Sequence, residues 1–207
     1  MHRLVHIGIL LSLITSASLA PLGSQTIDSL AFKDLQFRMV GPFRGGRSSA
    51  VTGFPADLDR WLMGTTGGGV WETTDNGISW RNISDGFFGG SIGAVRVADS
   101  DPNVIYVGQG SADIRGNTST GRGMWKSMDA GRTWTFIGLP EAGQIGRIEV
   151  HPDNHNLVYV AALGHPFGKN PERGIFRSED GGETWNHVLA LNDSTGASDL
   201  TMDMVNP

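Results

Sequence analysis

The sequence of 207 residues contains no cysteine, which excludes disulfide bonds, thiolate metal sites and cysteine nucleophiles. Its net charge of −5, from 16 basic and 21 acidic residues, disfavours nucleic acid as a partner. The six histidines lack the spacing of a metal site, and no cofactor-binding motif is present. We therefore expect no metal, no cofactor and no nucleic acid.

A second absence concerns secondary structure, because no stretch shows sustained helical periodicity. The chain contains instead 30 glycines and 9 prolines, which suit many tight turns. Short apolar runs rich in β-branched and aromatic residues alternate with these turns, as at 104–107 and 157–160. This pattern favours an all-β fold.

The N-terminus has the features of a secretory signal peptide. Arg3 precedes a mostly apolar segment at 4–19, and Ser-Leu-Ala at 18–20 matches the small-x-small cleavage pattern. We expect a signal peptide at 1–20, a lead-in at 21–40 and a secreted or periplasmic location. The alternative is an uncleaved membrane anchor, although about 16 residues are short for crossing a bilayer. We expect no membrane span after signal removal.

One stretch of eight residues occurs three times, and we call each copy an octet. The copies read T-T-D-N-G-I-S-W at 73–80, S-M-D-A-G-R-T-W at 127–134 and S-E-D-G-G-E-T-W at 178–185. Self-similarity at a period of about 50 residues is typical of proteins built from repeated supersecondary units.

Each octet occupies the same place in its repeating unit. An alternating strand, a polar turn and a short apolar strand precede a third strand that leads into the octet, and the octet tryptophan begins a fourth strand. Four antiparallel strands per unit predict a propeller blade. We place a partial β-propeller at 41–207, with blades at 41–89, 90–142 and 143–195 and the start of the next at 196–207.

The expected propeller is incomplete, with about three and a half blades. Propellers close with roughly 4–8 blades, and an open arc would leave sheet faces and an edge uncovered. We therefore expect the rest of the propeller as a partner that closes the fold.

The octet residues suit a tight turn better than they suit catalysis. The aspartate can accept unpaired backbone N–H groups, the glycine can adopt a left-handed conformation, and the tryptophan can bury a large apolar surface. The alternative, in which the three aspartates are catalytic acids, is disfavoured because their spacing follows the blades. The structural octet residues are Thr73, Asp75, Gly77, Trp80, Ser127, Asp129, Gly131, Trp134, Ser178, Asp180, Gly182 and Trp185.

The pattern S/T-x-D-x-G-x-T/S-W resembles the Asp box, or BNR repeat. The chain looks like the Asp-box propellers of the sortilin/VPS10 type, and most like secreted bacterial members often labelled glycosyl hydrolases. This resemblance implies a structural role for the box, on a turn away from the ligand face. In xyloglucan-cleaving relatives a catalytic Asp precedes a Gly-Gly pair, and Thr66 stands there in this chain.

A hydrolytic site is not evident from the residues. Glycoside hydrolysis ordinarily needs two carboxyl groups across the scissile bond, and we identify no such pair and no catalytic residue. A tyrosine–glutamate nucleophile pair of the sialidase kind is also not evident, because Tyr106 and Tyr159 occupy matching strand positions that we expect to be buried.

Candidate ligand-binding residues lie in two long loops and at the entrance to the first blade. Loops between second and third strands vary most in length, and such loops tend to acquire function. The alternative is a set of ordinary solvated loops, with the entrance arginines closing the ring. The candidates are Arg44, Arg47, Asp113, Arg115, Arg122, His165, Phe167, Lys169 and Arg173.

Three functions remain open at this point. The first is an extracytoplasmic scaffold module that binds a peptide, a protein or a carbohydrate. The second is a glycoside hydrolase whose catalytic carboxylates lie in blades outside this sequence. The third is a non-functional remnant. Fold alone does not separate a binding module from an enzyme.

Overall fold

A computed structural model describes residues 46–207, and this range contains β-strands and no helix. Within it, accordingly, no helix is long and apolar enough to cross a membrane. The predicted signal peptide, the lead-in and Arg44 lie outside the described residues.

Twelve strands occupy the described range. They are β1 (Ser48–Phe54), β2 (Asp57–Thr65), β3 (Val70–Thr73), β4 (Arg81–Asn82), β5 (Ile92–Val97), β6 (Ile105–Gln109), β7 (Met124–Ser127), β8 (Thr135–Phe136), β9 (Ile145–His151), β10 (Asn154–Ala162), β11 (Gly174–Ser178) and β12 (Asn186–Leu189).

The strands form three antiparallel sheets of four, each in chain order: β1–β4 (blade 1), β5–β8 (blade 2) and β9–β12 (blade 3). The pairing of second and third strands is in the same register in all three, with Trp61 opposite Thr73, Ile105 opposite Ser127 and Val158 opposite Ser178. The repeating unit of the sequence is therefore one blade. One detail of the prediction was wrong, because each fourth strand begins one residue after the octet tryptophan.

The hydrophobic core lies between blades rather than within one sheet. One buried cluster joins Leu62 and Val70 of blade 1 to Ile105 and Val107 of blade 2. A second cluster joins blade 2 to blade 3 in the same way. Because each sheet buries its faces against its neighbours, a blade depends on adjacent blades for stability.

Glycine in the second strand allows the blades to approach closely. A Cβ atom on Gly108 would overlap the side chain of Ile145, and a Cβ on the equivalent Gly64 would overlap Ile92. In both cases the overlapped side chain belongs to the first strand of the following blade, so the glycine makes room for it.

The octet tryptophans connect neighbouring blades through their indole N–H groups. Trp134 Nε1 donates to the Ile83 carbonyl oxygen at 2.9 Å, and Trp185 Nε1 donates to the equivalent Ile137 oxygen at 2.7 Å. In blade 1, by contrast, Trp80 Nε1 donates to Gly77 of its own octet at 3.2 Å.

Cations and a tyrosine make further contacts across the two interfaces. Arg60 Nη2 donates to the Ala130 carbonyl at 3.3 Å, and Lys126 Nζ donates to the equivalent Gly181 carbonyl at 3.0 Å. The Tyr106 hydroxyl donates to the His155 carbonyl at 2.9 Å. Each following octet is thus held by a cation of the preceding blade.

The outer face of blade 3 repeats this arrangement without a complete neighbouring sheet. Tyr159 and Arg177 stand at the positions of Tyr106 and Lys126. The prediction that both tyrosines are buried holds for Tyr106, which has no exposed surface. It was wrong for Tyr159, which is half-buried because no full blade covers it in the described range.

Residues that follow blade 3 begin to cover this face. The Ala197 amide donates to the Ala162 carbonyl at 3.0 Å. A Cβ atom on Gly146 would overlap the Ser198 carbonyl, just as a Cβ on the equivalent Gly93 would overlap the Ile145 carbonyl. Ser198 therefore occupies the place that Ile145 takes in blade 3, where a first strand lies.

We predict that Trp134→Phe lowers the free energy of unfolding by about 1–2 kcal/mol, because it leaves the buried Ile83 carbonyl without its donor. Trp80→Phe is the matched control and should cost less than about 0.5 kcal/mol, since that half-buried indole bonds only within its own turn. Denaturant unfolding of both variants gives the comparison. Equal losses would show that the bond between blades is unimportant.

Candidate functional site

The blade connections lie on two opposite faces of the molecule. The octets join third to fourth strands, and we call their side the octet face. The connections 66–69, 110–123 and 163–173 join second to third strands at the other ends of the sheets, and we call that side the loop face.

A cleft of about 170 Å³ opens on the loop face between blades 1 and 2, and we call it the inter-blade cleft. Its lining is polar and contains many hydroxyl groups. The residues that line it include Arg47, Ser49, Thr66, Ser91, Asp113 and Arg115.

Three of the predicted ligand-binding residues meet in this cleft. Arg47 comes from the entrance to blade 1, whereas Asp113 and Arg115 come from the long loop of blade 2. Neither arginine forms an ion pair with a carboxylate of residues 46–207. Two cationic groups are thus available to a ligand.

The serines of the cleft were not predicted. Ser91 is 2 % exposed, and its hydroxyl has no hydrogen-bond partner in the described part of the chain. Ser49 donates to the Ile92 carbonyl at 2.5 Å. In the sequence these residues are marked only as serines at the start of a blade, and serine is too common at such positions to indicate a site.

The blade 2 loop is anchored by blade 3. Gln144 is fully buried, accepts a hydrogen bond from the Ser111 amide and donates to the Ser119 carbonyl at 3.2 Å. The Gly121 amide donates to the Gly143 carbonyl at 2.6 Å. Both ends of the loop are therefore fixed before a ligand arrives, which limits the entropy cost of binding.

A second cleft, of about 360 Å³, lies beside the first, and we call it the aromatic cleft. It is lined by Phe87, Phe88 and Trp125, together with the predicted Arg122. Phe87 is 42 % exposed. Because Ser91 lines both clefts, they are neighbours on one face.

The remaining candidates lie in the blade 3 loop and do not line either cleft. Phe167 is 78 % exposed. Lys169 is an exposed residue that pairs with Asp193 at 3.3 Å, and His165 Nε2 lies 3.8 Å from a carboxylate oxygen of Glu141.

Arg173 points into the protein rather than towards solvent. It is 5 % exposed, and its guanidinium donates to the carbonyls of Leu163 and Ser194 at 2.8 and 3.3 Å. It also donates to the carbonyls of His165 and Gly168. This geometry gives Arg173 a clear structural task, which is to hold the loop closed.

The octet carboxylates lie on the opposite face, each within its own turn. Asp129 Oδ1 accepts the Thr133 amide at 2.8 Å, and its Oδ2 accepts the Thr133 hydroxyl at 2.7 Å. The other two octets make the same bonds. The three carboxylates therefore do not converge on a common cavity.

These hydrogen bonds stabilise the ionised aspartates. Bonds from the Ser79 hydroxyl and amide lower the pKa of Asp75 to about 2, and bonds from Thr133 lower the pKa of Asp129 to about 2. The equivalent bonds from Thr184 lower the pKa of Asp180.

The described residues do not place a catalytic carboxylate pair in the inter-blade cleft. Asp113 is the one carboxylate of its lining, and Thr66 stands where the resemblance implied an aspartate. Glu72 and Glu149 are buried, but arginines hold them at 2.6 and 2.8 Å. No cluster of potential metal ligands occurs within 46–207.

With the geometry established, the chain can be compared with known proteins. No protein-family profile matches it. It is 29% identical over 127 residues to a xyloglucanase from Hypocrea jecorina (strain QM6a), and this match covers 55% of the chain but only 14% of that protein.

Two solved structures are similar in fold. The match to an ancestral GH74 enzyme has a TM-score of 0.57 at 24% identity and covers 77% of this chain and 20% of the enzyme chain. The match to a GH74 enzyme from Niastella koreensis has a TM-score of 0.51 at 21% identity and covers 66% of this chain and 21% of the enzyme chain. The fold is a β-propeller. The finer resemblance to sortilin-type propellers stays a prediction.

We predict that Arg173→Gln lowers the free energy of unfolding by about 2–3 kcal/mol, because buried carbonyls lose a charged donor. Lys169→Gln, in the same loop but exposed, should change it by less than about 0.5 kcal/mol. Unfolding in urea measures both. If Arg173→Gln keeps its stability, the buried guanidinium is not what holds the loop.

The depressed aspartate pKa values predict acid sensitivity. Because the folded-state pKa of Asp129 lies below its ordinary value of 3.8, its contribution is complete above about pH 4 and is lost as the pH falls towards 2. Asp129→Asn should therefore reduce the loss of stability over this window, and should lower the Tm near pH 7 by roughly 2–4 °C.

Urea unfolding across pH 2–7 tests the predicted pH dependence of stability, and thermal unfolding near pH 7 tests the predicted change in Tm. Asp153→Asn is the control in both measurements. The Asp153 carboxylate accepts no hydrogen bond from the described residues. If the free energy of unfolding falls by the same amount with decreasing pH in the wild type and in Asp129→Asn, the predicted role of the turn is contradicted.

Proposed function

We propose that this chain is the glycan-recognising portion of a secreted or periplasmic β-propeller related to glycoside hydrolases. Carbohydrate lies on the loop face, across the aromatic cleft and the inter-blade cleft. The sequence match to a xyloglucanase over 127 residues is the single observation that supports this most.

The chemistry of the two clefts fits a saccharide. Sugar rings offer apolar faces to aromatic side chains and hydroxyl groups to polar ones. The half-exposed Phe87 and the guanidinium donors of the exposed Arg122 provide both kinds of contact within one cleft. The hydroxyl groups next to Ser91 extend the polar surface towards blade 1.

Hydrolysis would require further blades. A pair of carboxyl groups must flank the scissile bond, and Asp113 is the one carboxylate of residues 46–207 that lines either cleft. In the proposed protein these blades pack on the outer face of blade 3, where Tyr159 and Arg177 stand at the positions of Tyr106 and Lys126. The predicted blade boundaries and the predicted signal peptide are part of what we propose for this protein.

Binding to xyloglucan oligosaccharides and to a panel of plant polysaccharides tests the proposal, with the chain as it stands. We expect Phe87→Ala to weaken oligosaccharide binding by roughly 3–10-fold, the usual value of an aromatic contact. The control is Ile78→Ala, an exposed apolar residue on the octet face, which should bind as the wild type does.

A reducing-sugar assay on the same polysaccharides runs alongside. Binding without release of sugar is the expected result for this chain. Absence of binding to every glycan, with the chain folded by far-UV circular dichroism, would overturn the proposed function.

A further inference from the structure

We propose that the inter-blade cleft binds the carboxylate of an acidic sugar, so that the recognised glycan contains uronic acid. This inference rests on the proposed glycan recognition and specifies the chemical class of one sugar.

Arg47 and Arg115 approach the cleft from different blades, and neither has a carboxylate partner in the described range. Arginine presents a planar fork of donors that matches a carboxylate in a bidentate manner. Two arginines on opposite sides of one cleft can therefore hold an anion between them.

The buried Ser91 hydroxyl provides an independent indication. Ser91 lines the cleft and is only 2 % exposed. Its hydroxyl has no hydrogen-bond partner within 46–207. A buried polar group without a partner costs free energy, and native structures rarely contain one without a reason. A ligand oxygen in the cleft would satisfy it once the serine side chain rotates towards the cleft.

The charge balance selects a monoanion. Asp113 contributes one negative charge against the two arginines, which leaves one positive charge for the ligand. A carboxylate brings the sum of charges to zero, whereas a doubly charged phosphate would leave the site with a net negative charge. The cleft volume of about 170 Å³ is below the range of typical drug-sized ligand pockets, which suits a single sugar.

The site is also held in shape. Gln144 fixes Ser111 and Ser119 on the far side of the cleft, and the Arg115 amide donates to Thr118 Oγ1 at 2.9 Å. The loop that presents Arg115 is thus ordered by contacts with its own residues and with blade 3. Because the backbone of this loop is already fixed, only the arginine side chain has to be ordered when it binds an anion.

The test is calorimetric titration of the full chain with oligogalacturonide, glucuronate and a neutral xyloglucan oligosaccharide. We expect the acidic sugars to bind more tightly at low salt than in 0.5 M NaCl. Arg47→Gln and Arg115→Gln should each weaken acidic-sugar binding roughly tenfold and weaken binding of the neutral oligosaccharide much less, because the neutral sugar has no carboxylate to lose an ionic partner. Arg132→Gln, an exposed arginine on the octet face, is the matched control.

The outcomes separate this inference from the proposed function. If neutral oligosaccharide binds, Phe87→Ala weakens it and neither arginine variant affects acidic sugars, the carboxylate site is wrong and glycan recognition stands. If glucuronate binds through the arginines but no oligosaccharide does, the anion site stands and the glycan function fails. Binding of inorganic phosphate more tightly than glucuronate would overturn the monoanion argument.

Discussion

Packing between neighbouring blades is the constraint on which the rest of this structure depends. A four-stranded sheet with an apolar face cannot bury that face alone, and here two buried clusters lie at the two interfaces between three sheets. Small residues at the contact, such as Gly64 and Gly108, set how closely the sheets approach. The register of each blade must match its neighbour, so the sequence repeats.

The octet links this packing to the local turn. Its aspartate holds the hairpin, which positions the tryptophan that reaches the preceding blade. The backbone carbonyl of the residue after the aspartate accepts a hydrogen bond from a cationic side chain of the preceding blade. One short stretch therefore serves a turn and an interface together, which explains why its residues recur while the loops of the opposite face differ.

Sequence reasoning recovered the parts of the fold that local chemistry determines. Four strands per unit and the placement of the octets follow from turn residues and from periodicity, both of which act over a few residues. The contacts of Lys126 and Tyr106 were not predictable in this way, because each joins residues about 50 positions apart. Tyr159 shows the same limit, since its burial depends on the sheet next to it and not on its own strand.

The candidate site likewise has residues whose placement the sequence indicated and residues whose placement depends on the folded chain. Loop length singled out Asp113 and Arg115 as candidates on the loop face, and the structure places both in one cleft with Arg47. Arg173 looked equivalent in the sequence, yet the path of its loop turns the guanidinium inward onto backbone carbonyls. Whether a loop cation faces solvent or the backbone is decided by the path of the chain, which composition does not encode.

The anchoring of the blade 2 loop by blade 3 extends this reasoning to function. Gln144 belongs to one blade and shapes a cleft that lies between two others. The shape of the inter-blade cleft is therefore a property of at least three consecutive blades. A change at an interface far from the cleft, such as one that shifts blade 3, would move Ser111 and Ser119 and alter the cleft without replacing any residue that lines it.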